Sequence, residues 1–115
     1  MYVTSVDHII NKGSVWVIDT NTNTVVGPPI GVPIISAGIA FDPTHNRMYI
    51  DSLVGTVLFI DTNTNTVGPS ILVGPRSNGI AFDPSHNRLY VTIYDPITNN
   101  GGVSVIDTNT NTVVG

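Results

Sequence analysis

Ionisable side chains that recur at fixed positions are the first candidates for chemistry in this sequence. The recurring set consists of Asp19, Asp42, His45, Arg47, Asp61, Asp83, His86, Arg88 and Asp107. Aspartate and histidine side chains bind metal ions and transfer protons, so a ring of them could form a metal site. A residue that is copied in every repeat is more commonly structural, and zinc needs three or four converging ligands. We therefore interpret this set as turn formers and predict no metal site.

Six further ionisable residues lie outside the recurring positions and are candidates for ligand contact. They are Asp7, His8, Lys12, Asp51, Arg76 and Asp95. All six occur in or beside connecting segments, where surface loops on a rigid scaffold commonly acquire a function. Asp7 and His8 are adjacent, but no third residue can be placed within hydrogen-bonding distance of them to complete an acid–base site. Divergence of unconstrained polar loops would give the same pattern, and that alternative stays open.

Nucleophilic and cofactor-dependent chemistry has little support in the sequence. Ser5, Ser14 and Ser36 lack the context of a nucleophile elbow, and Gly101-Gly102 indicates a flexible loop and not a phosphate-binding one. The chain contains no glutamate and no cluster of histidines, so the usual ligands of lactonase-like calcium chemistry and of haem or quinone dehydrogenase chemistry are missing. We predict no catalytic residue, no cofactor and no enzymatic activity in this chain.

Composition restricts the possible partners. Only 10% of the residues are charged and the net charge is −4, so the basic surface that nucleic-acid binding needs is absent. The uncharged stretch from residue 20 to residue 41 is interrupted by asparagine, glycine and proline, which argues against a membrane span. Residues 2–4 already match the repeat described below, so the chain does not begin with a signal-peptide pattern. We expect any export signal to lie outside this chain.

The elements that position these residues belong to a tandem repeat. The eight residues from Ile18 to Val25 recur identically from Ile60 to Val67 and from Ile106 to Val113, at spacings of 42 and 46 residues. A period of this length is typical of a β-propeller blade or a solenoid unit. The 115 residues are enough for one domain. We predict a single domain with repeats at approximately 1–27, 28–68 and 69–115.

Each repeat predicts up to four antiparallel strands, called A to D from the inside outward. Strand A is predicted at 38–41 and 79–82, strand B at 1–4, 48–51 and 89–92, strand C at 15–18, 57–60 and 103–106, and strand D at 24–28, 66–69 and 112–115. The predicted order is therefore B-C-D, A-B-C-D, A-B-C-D. We expect an all-β fold of about three β-propeller blades in an incomplete ring. Uncovered blade faces predict self-association or contact with further blades.

Connections at the two ends of a blade have different predicted roles. The shared Asp-Thr-Asn-Thr-Asn segment is rich in residues that form turns through their own side chains, so it predicts a C–D hairpin. A contact of Asp42 with Arg47, or of Asp83 with Arg88, would be a weak surface ion pair in the A–B turn. The B–C and D–A connections emerge together at the opposite end, so the six ligand-contact candidates are expected to share one face.

The repeat resembles the YVTN family of β-propeller repeats, which is familiar from archaeal and bacterial surface-layer and secreted proteins. The resemblance is carried by Tyr-Val-Thr at 90–92, Val-Ile-Asp-Thr at 105–108, Thr-Val-Val at 112–114 and Gly-Ile-Ala-Phe-Asp-Pro at 79–84. It implies a structural or binding role at the cell surface or outside the cell, and its motif contains no catalytic residue. Ser5 and Ile93 replace the asparagine that usually follows Tyr-Val-Thr.

Two functions follow as hypotheses. The first is a non-catalytic propeller module that contacts a protein or carbohydrate ligand. The second is a fragment of a propeller enzyme, a hydrolase or a quinoprotein or haem-type oxidoreductase, whose catalytic residues lie in missing blades. Further repeats without catalytic residues would favour the first, and clusters of Glu, His or CxxCH would favour the second.

Overall fold

Regular structure in the described part of the chain is entirely β-strand. The computed structural model describes residues 2–7, 12–32 and 36–115, and for residues 3–7, 12, 36 and 37 it describes the backbone alone. The strands of these residues are β1 (Tyr2–Asp7), β2 (Lys12–Asp19), β3 (Thr24–Val25), β4 (Ile30–Val32), β5 (Ser36–Asp42), β6 (Arg47–Ser52), β7 (Thr56–Asp61), β8 (Thr66–Val67), β9 (Ile71–Leu72), β10 (Ser77–Asp83), β11 (Arg88–Asp95), β12 (Asn100–Asp107) and β13 (Thr112–Val113). Over the same ranges, no helix has the length and apolar character needed to cross a membrane.

The strands form three antiparallel sheets, one for each sequence repeat. The first contains β1 to β4, the second β5 to β9, and the third β10 to β13. β5 and β10 are the predicted A strands and lie at the inner edge of the second and third sheets. Within the described residues, the first sheet begins with its B strand, β1. Three blades with two inner strands are therefore present, as the sequence predicts, and the all-β expectation is confirmed.

The outer D strand differs from the prediction because it is broken into two pieces. β3 and β4 both pair with β2, and β8 and β9 both pair with β7. Gly27, with φ of 69°, and Pro28 fall in the first break, while Gly68 and Pro69 fall in the second. Proline donates no backbone hydrogen bond, so the ladder is interrupted there and resumes beyond it. The first two sheets therefore extend past the approximate repeat boundaries at 27 and 68.

Six hairpin turns of the described chain share one geometry, in which an aspartate is followed four residues later by an asparagine. The pairs are Asp19/Asn23, Asp42/Asn46, Asp61/Asn65, Asp83/Asn87, Asp95/Asn99 and Asp107/Asn111. Each asparagine has a φ between 51° and 61°, a left-handed conformation that asparagine tolerates well. Each aspartate accepts the backbone N–H two residues further on at 2.8 to 2.9 Å. The predicted turn chemistry is confirmed for the C–D and A–B turns and extends to the B–C hairpin of the third blade.

The apolar core lies between the sheets and not within any one of them. Between the first and second blades it contains Tyr2, Val15, Ile30, Val32, Ile39, Met48, Ile50, Leu58 and Ile60. Between the second and third blades it contains Tyr49, Val57, Phe59, Val73, Leu89, Val91 and Ile106, with partly buried neighbours. Because successive residues of a strand face opposite sides, the second blade is buried on both of its faces. This explains the unbroken apolar run of its strand C.

Candidate functional site

The recurring aspartate and histidine residues form local pairs within the A–B turns. The Asp42 carboxylate lies 2.7 Å from His45 Nδ1, and the Asp83 carboxylate lies 2.8 Å from His86 Nδ1. The other oxygen of each carboxylate accepts a turn N–H, from Thr44 or from Ser85. The hydrogen bond with His86 holds the pKa of Asp83 below its ordinary value. In the part of the chain that the structure describes, no three metal-ligating side chains converge.

The arginines of the A–B turns bind groups other than those proposed from the sequence. Arg88 Nη1 lies 3.1 Å from Asp107 Oδ2, on the neighbouring strand of its own sheet. Arg47 Nη1 donates to the carbonyl of Thr108 in the third blade at 3.3 Å, and its guanidinium carbon lies 4.9 Å from the centre of the Phe59 ring. The suggested pairing of each arginine with the aspartate of its A–B turn is therefore wrong, because turn N–H groups and histidine already occupy those carboxylates.

Five of the six ligand-contact candidates fall within the described residues, at the same end of the blades but in different environments. Asp7 and Lys12 are cross-strand partners in the β1–β2 hairpin, where only their backbone is described, and His8 lies outside the described residues. Arg76 is exposed in the connection between β9 and β10, and its carbonyl accepts the N–H of Tyr94 at 3.0 Å. Arg76 and Asp95 therefore border the same edge of the third blade.

Asp51 differs from Arg76 and Asp95 because its side chain is buried. Its side chain is 0% exposed and lies between the second and third blades. Oδ1 accepts the N–H of Gly38 in its own blade, the N–H of Gly79 in the next blade also contributes, and Oδ2 has no hydrogen-bond partner. Burial raises the pKa of this carboxyl group, and the two N–H donors act in the opposite direction. Asp51 thus connects two inner strands and cannot reach a ligand on the outer surface.

An open groove lies beside Asp95 in the B–C hairpin of the third blade. It has a volume of about 410 Å³ and is lined by Pro75, Ile93, Asp95, Thr98 and residues 100–102. The Asp95 carboxylate accepts the N–H of Ile97 at 2.9 Å, and this bond lowers the pKa of Asp95. Asp95 is therefore a turn former as well as a groove residue. The four-residue spacing from Asp95 to Asn99, which matches the recurring turns, is the sequence signal that identifies Asp95 as a turn former.

A second cleft, of about 430 Å³, lies at the opposite end of the blades between the first and second sheets. It is lined by Tyr2, Ile39, Phe41, Met48 and Thr62. Apolar side chains dominate it, and Phe41 is 46% exposed. The cleft lies beside β1, which among the described residues is the edge strand of its sheet, as β5 and β10 are of theirs.

A hydrogen bond between a tyrosine and an asparagine joins each blade to the next. Tyr2 Oη in the first blade donates to Asn65 Oδ1 in the second at 2.8 Å, and Tyr49 Oη donates to Asn111 Oδ1 in the third at 2.6 Å. Burial raises the pKa of both phenol groups. The donor is the tyrosine of strand B and the acceptor ends the C–D turn. This contact was not predicted from the sequence, although both residues recur in all three repeats.

Comparisons with known proteins identify the fold. No protein-family model and no curated protein matches the chain. Hydrazine synthase from Kuenenia stuttgartiensis is similar over 90% of this chain and 28% of its own, with a TM-score of 0.76 and 22% identity. The dihydro-heme d1 dehydrogenase NirN is similar over 99% and 23%, with a TM-score of 0.72 and 16% identity. The β-propeller domain of the Trilobed protease from Pyrococcus furiosus is similar over 99% and 37%, with a TM-score of 0.66 and 10% identity.

These similarities concern the fold alone, because the sequence identities are low. The chain spans 23% to 37% of the lengths of the three structures. Similarity to a β-propeller domain, together with three antiparallel sheets packed face to face, shows that the chain has the fold of an incomplete β-propeller.

Proposed function

We propose that this chain is a non-catalytic β-propeller segment that presents its B–C and D–A connections to a carbohydrate or protein ligand. The observation that carries the proposal is that the recurring ionisable groups are engaged in hydrogen bonds within the turns. The turn carboxylates accept turn N–H groups, and the A–B histidines are paired with them. Such groups stabilise hairpins and are poorly placed to act on a substrate.

The groove beside Asp95 is the surface that fits this role best. It combines an apolar floor formed by Pro75 and Ile93 with polar groups from Thr98 and Asn100, and the exposed Arg76 lies next to it. Grooves with a few polar groups, formed by loops at one end of a rigid scaffold, are common sites of ligand binding.

The proposed parent is a YVTN-type protein of the cell surface or of the secreted class. The Tyr-Val-Thr, Val-Ile-Asp-Thr and Gly-Ile-Ala-Phe-Asp-Pro motifs support it, because they occupy strands B, C and A of one blade. Localisation outside the cell follows from the same resemblance and is part of this proposal.

An enzyme fragment is the second candidate. Hydrazine synthase and the dehydrogenase NirN share this fold and are named as enzymes. The residues described here would then serve as scaffold for a reaction centre in other blades. A longer reading frame that adds Glu, His or CxxCH clusters would favour this candidate over the first.

Ligand binding is tested on the immobilised chain with an array of defined glycans and a phage-displayed peptide library. We expect at least one probe to bind the wild type and to lose on the order of tenfold in affinity in a variant with Arg76→Ala and Asn100→Ala. Asn63→Ala, in the exposed C–D turn at the opposite end, is the matched control and should bind normally. Absence of binding in both screens, or equal losses in the two variants, would contradict the proposal.

A further inference from the structure

The two contacts between blades have the same direction along the chain. In each, one blade contributes its tyrosine face, defined by the strand-B tyrosine and the strand-C residues on the same side of the sheet. The next blade contributes its asparagine face, which carries the C–D turn. The tyrosine face of the second blade consists of Tyr49, Val57 and Phe59. The Tyr49 hydroxyl group donates a hydrogen bond to Asn111 of the third blade.

The third blade presents the same tyrosine face without a cover. Its equivalent residues are Tyr90, Val103 and Val105, as the strand registers require. Tyr90 is 41% exposed and Val103 is 53% exposed, whereas Tyr49 and Val57 are both 0% exposed. Among the described residues, the Tyr90 hydroxyl has no hydrogen-bond partner. The described residues thus leave this apolar face uncovered and its donor unused.

The first blade presents the complementary acceptor. Asn23 ends its C–D turn with a φ of 56°, compared with 55° for both Asn65 and Asn111. The turn is held by the same bond, since the Asp19 carboxylate accepts the N–H of Asn21 at 2.8 Å. Asn23 is exposed, and its turn already has the shape that receives a tyrosine in the other two blades.

We propose that the tyrosine face of the third blade docks on the asparagine face of the first blade of a second copy of this chain, with Tyr90 Oη donating to Asn23 Oδ1. The contact repeats the tyrosine–asparagine hydrogen bond that the molecule already uses twice, so donor and acceptor match. Among the described residues, each copy leaves one tyrosine face and one asparagine face uncovered. The assembly is therefore head-to-tail and continues until a ring closes or a filament forms.

A second feature of the internal interface defines where the two copies meet. Arg47 of the second blade donates to the carbonyl of Thr108, which is buried in the third blade. The equivalent positions are Arg88 in the third blade and Thr20, which is exposed, in the first. Docking would therefore bring Arg88 of one copy close to Thr20 of the next, and a positive charge at position 20 should oppose it.

Sedimentation velocity of the 115-residue chain over a series of concentrations tests the proposal. We expect the wild type to associate and Val103→Asp to weaken association on the order of 100-fold, because a charge would be buried without a partner. Ile97→Asp is the matched control, since Ile97 is 93% exposed at a hairpin tip. Circular dichroism of both variants establishes that each is folded.

The hydrogen bond is tested by a double-mutant cycle. Tyr90→Phe retains the ring, and Asn23→Gly retains the positive φ, so each removes one partner alone. We expect each to weaken association about fivefold and the double variant to weaken it no further. The control is Tyr94→Phe, which removes a similar bond to Asn99 within one hairpin and should leave association unchanged.

Complementation tests the head-to-tail direction. Val103→Asp blocks the tyrosine face, and Thr20→Lys blocks the asparagine face, so each variant should be monomeric alone. An equal mixture should form a dimer and nothing larger, because one intact face of each kind remains. The proposal is overturned if the wild type is monomeric, if Val103→Asp associates like the wild type, or if the mixture stays monomeric.

Discussion

The second and third blades have closely similar sequences in strand A and in the C–D turn, but their tyrosine faces have different surroundings. Tyr49 and Val57 are fully buried, because the third blade covers them, while their counterparts Tyr90 and Val103 are 41% and 53% exposed. Burial thus changes from partial to complete between two blades that share strand A and the C–D turn. In a repeat array, stability is the sum of what each unit contributes and what its neighbours add. The comparison assigns much of the stabilisation of this fold to the contacts between blades.

The largest difference in the free energy of unfolding is expected between truncation of Tyr49 and truncation of Tyr90. Tyr49→Ala should reduce the free energy of unfolding by about 3–5 kcal/mol, because it opens a cavity between two blades and removes the bond to Asn111. Tyr90→Ala should cost less than about 1 kcal/mol, since much of the ring is exposed in the monomer. Urea unfolding at a dilution where the chain is monomeric measures both. Equal losses would show that blade contacts do not produce the difference.

The B–C connections provide the second comparison. Gly55 closes the short turn of the second blade with a φ of 83°, and a Cβ atom there would lie 1.7 Å from the carbonyl oxygen of Gly74. Gly55→Ala should therefore lower the free energy of unfolding by about 2–4 kcal/mol. The matched change in the third blade is Gly101→Ala, whose Cβ would lie 3.6 Å from the Ile93 oxygen.

Urea unfolding of the Gly101→Ala variant should differ from that of the wild type by no more than about 0.5 kcal/mol. A large loss in this variant would mean that the long hairpin of the third blade is as tightly packed as the short turn of the second.

The third and smallest effect concerns the pH dependence of Asp51. Its folded pKa lies above the ordinary value of 3.8, so ionisation costs more in the folded chain than in the unfolded one. The stability it contributes is fully present below pH 3.8 and is lost as the pH rises through the raised pKa. Asp51→Asn should remove this loss, because asparagine stays neutral and still accepts the N–H of Gly38. The free energy of unfolding of this variant should therefore depend less on pH as the pH rises above 3.8.

Asp95→Asn is the control of opposite sign. The N–H of Ile97 lowers the pKa of Asp95, so its contribution is present above the ordinary aspartate pKa and is lost as the pH falls. Its replacement should alter the acid side of the profile alone. If the free energy of unfolding depends on pH in the same way in the Asp51 and Asp95 variants, the two carboxyl groups do not have different environments.

Strand order and turn chemistry could be predicted because each depends on a few neighbouring residues. The apolar runs of strands B and C and the Asp-Thr-Asn-Thr-Asn segment are local signals, and the three antiparallel sheets confirm them. The break in strand D was missed, although Pro28 and Pro69 indicate it. Predicting it required knowing that the chain returns to the same C strand beyond the proline.

The candidate site was less predictable because burial is set by the next blade. Asp51 was placed on the ligand face from its position at the end of strand B, but the third blade covers it. The Tyr49–Asn111 bond joins residues 62 positions apart, and no local pattern pairs them. Arg76 and Asp95 could be placed at one end of the blades because that follows from the order of the strands.

Nuclear magnetic resonance distances between blades test the central claim most directly, namely that each repeat is a β-sheet packed face to face against the next. The account predicts close contacts between the Tyr49 ring and the side-chain amide of Asn111, and between the Tyr2 ring and that of Asn65. Stacked solenoid rungs would instead bring the tyrosines of successive repeats next to one another. Observing tyrosine–tyrosine contacts, without the tyrosine–asparagine ones, would contradict the account.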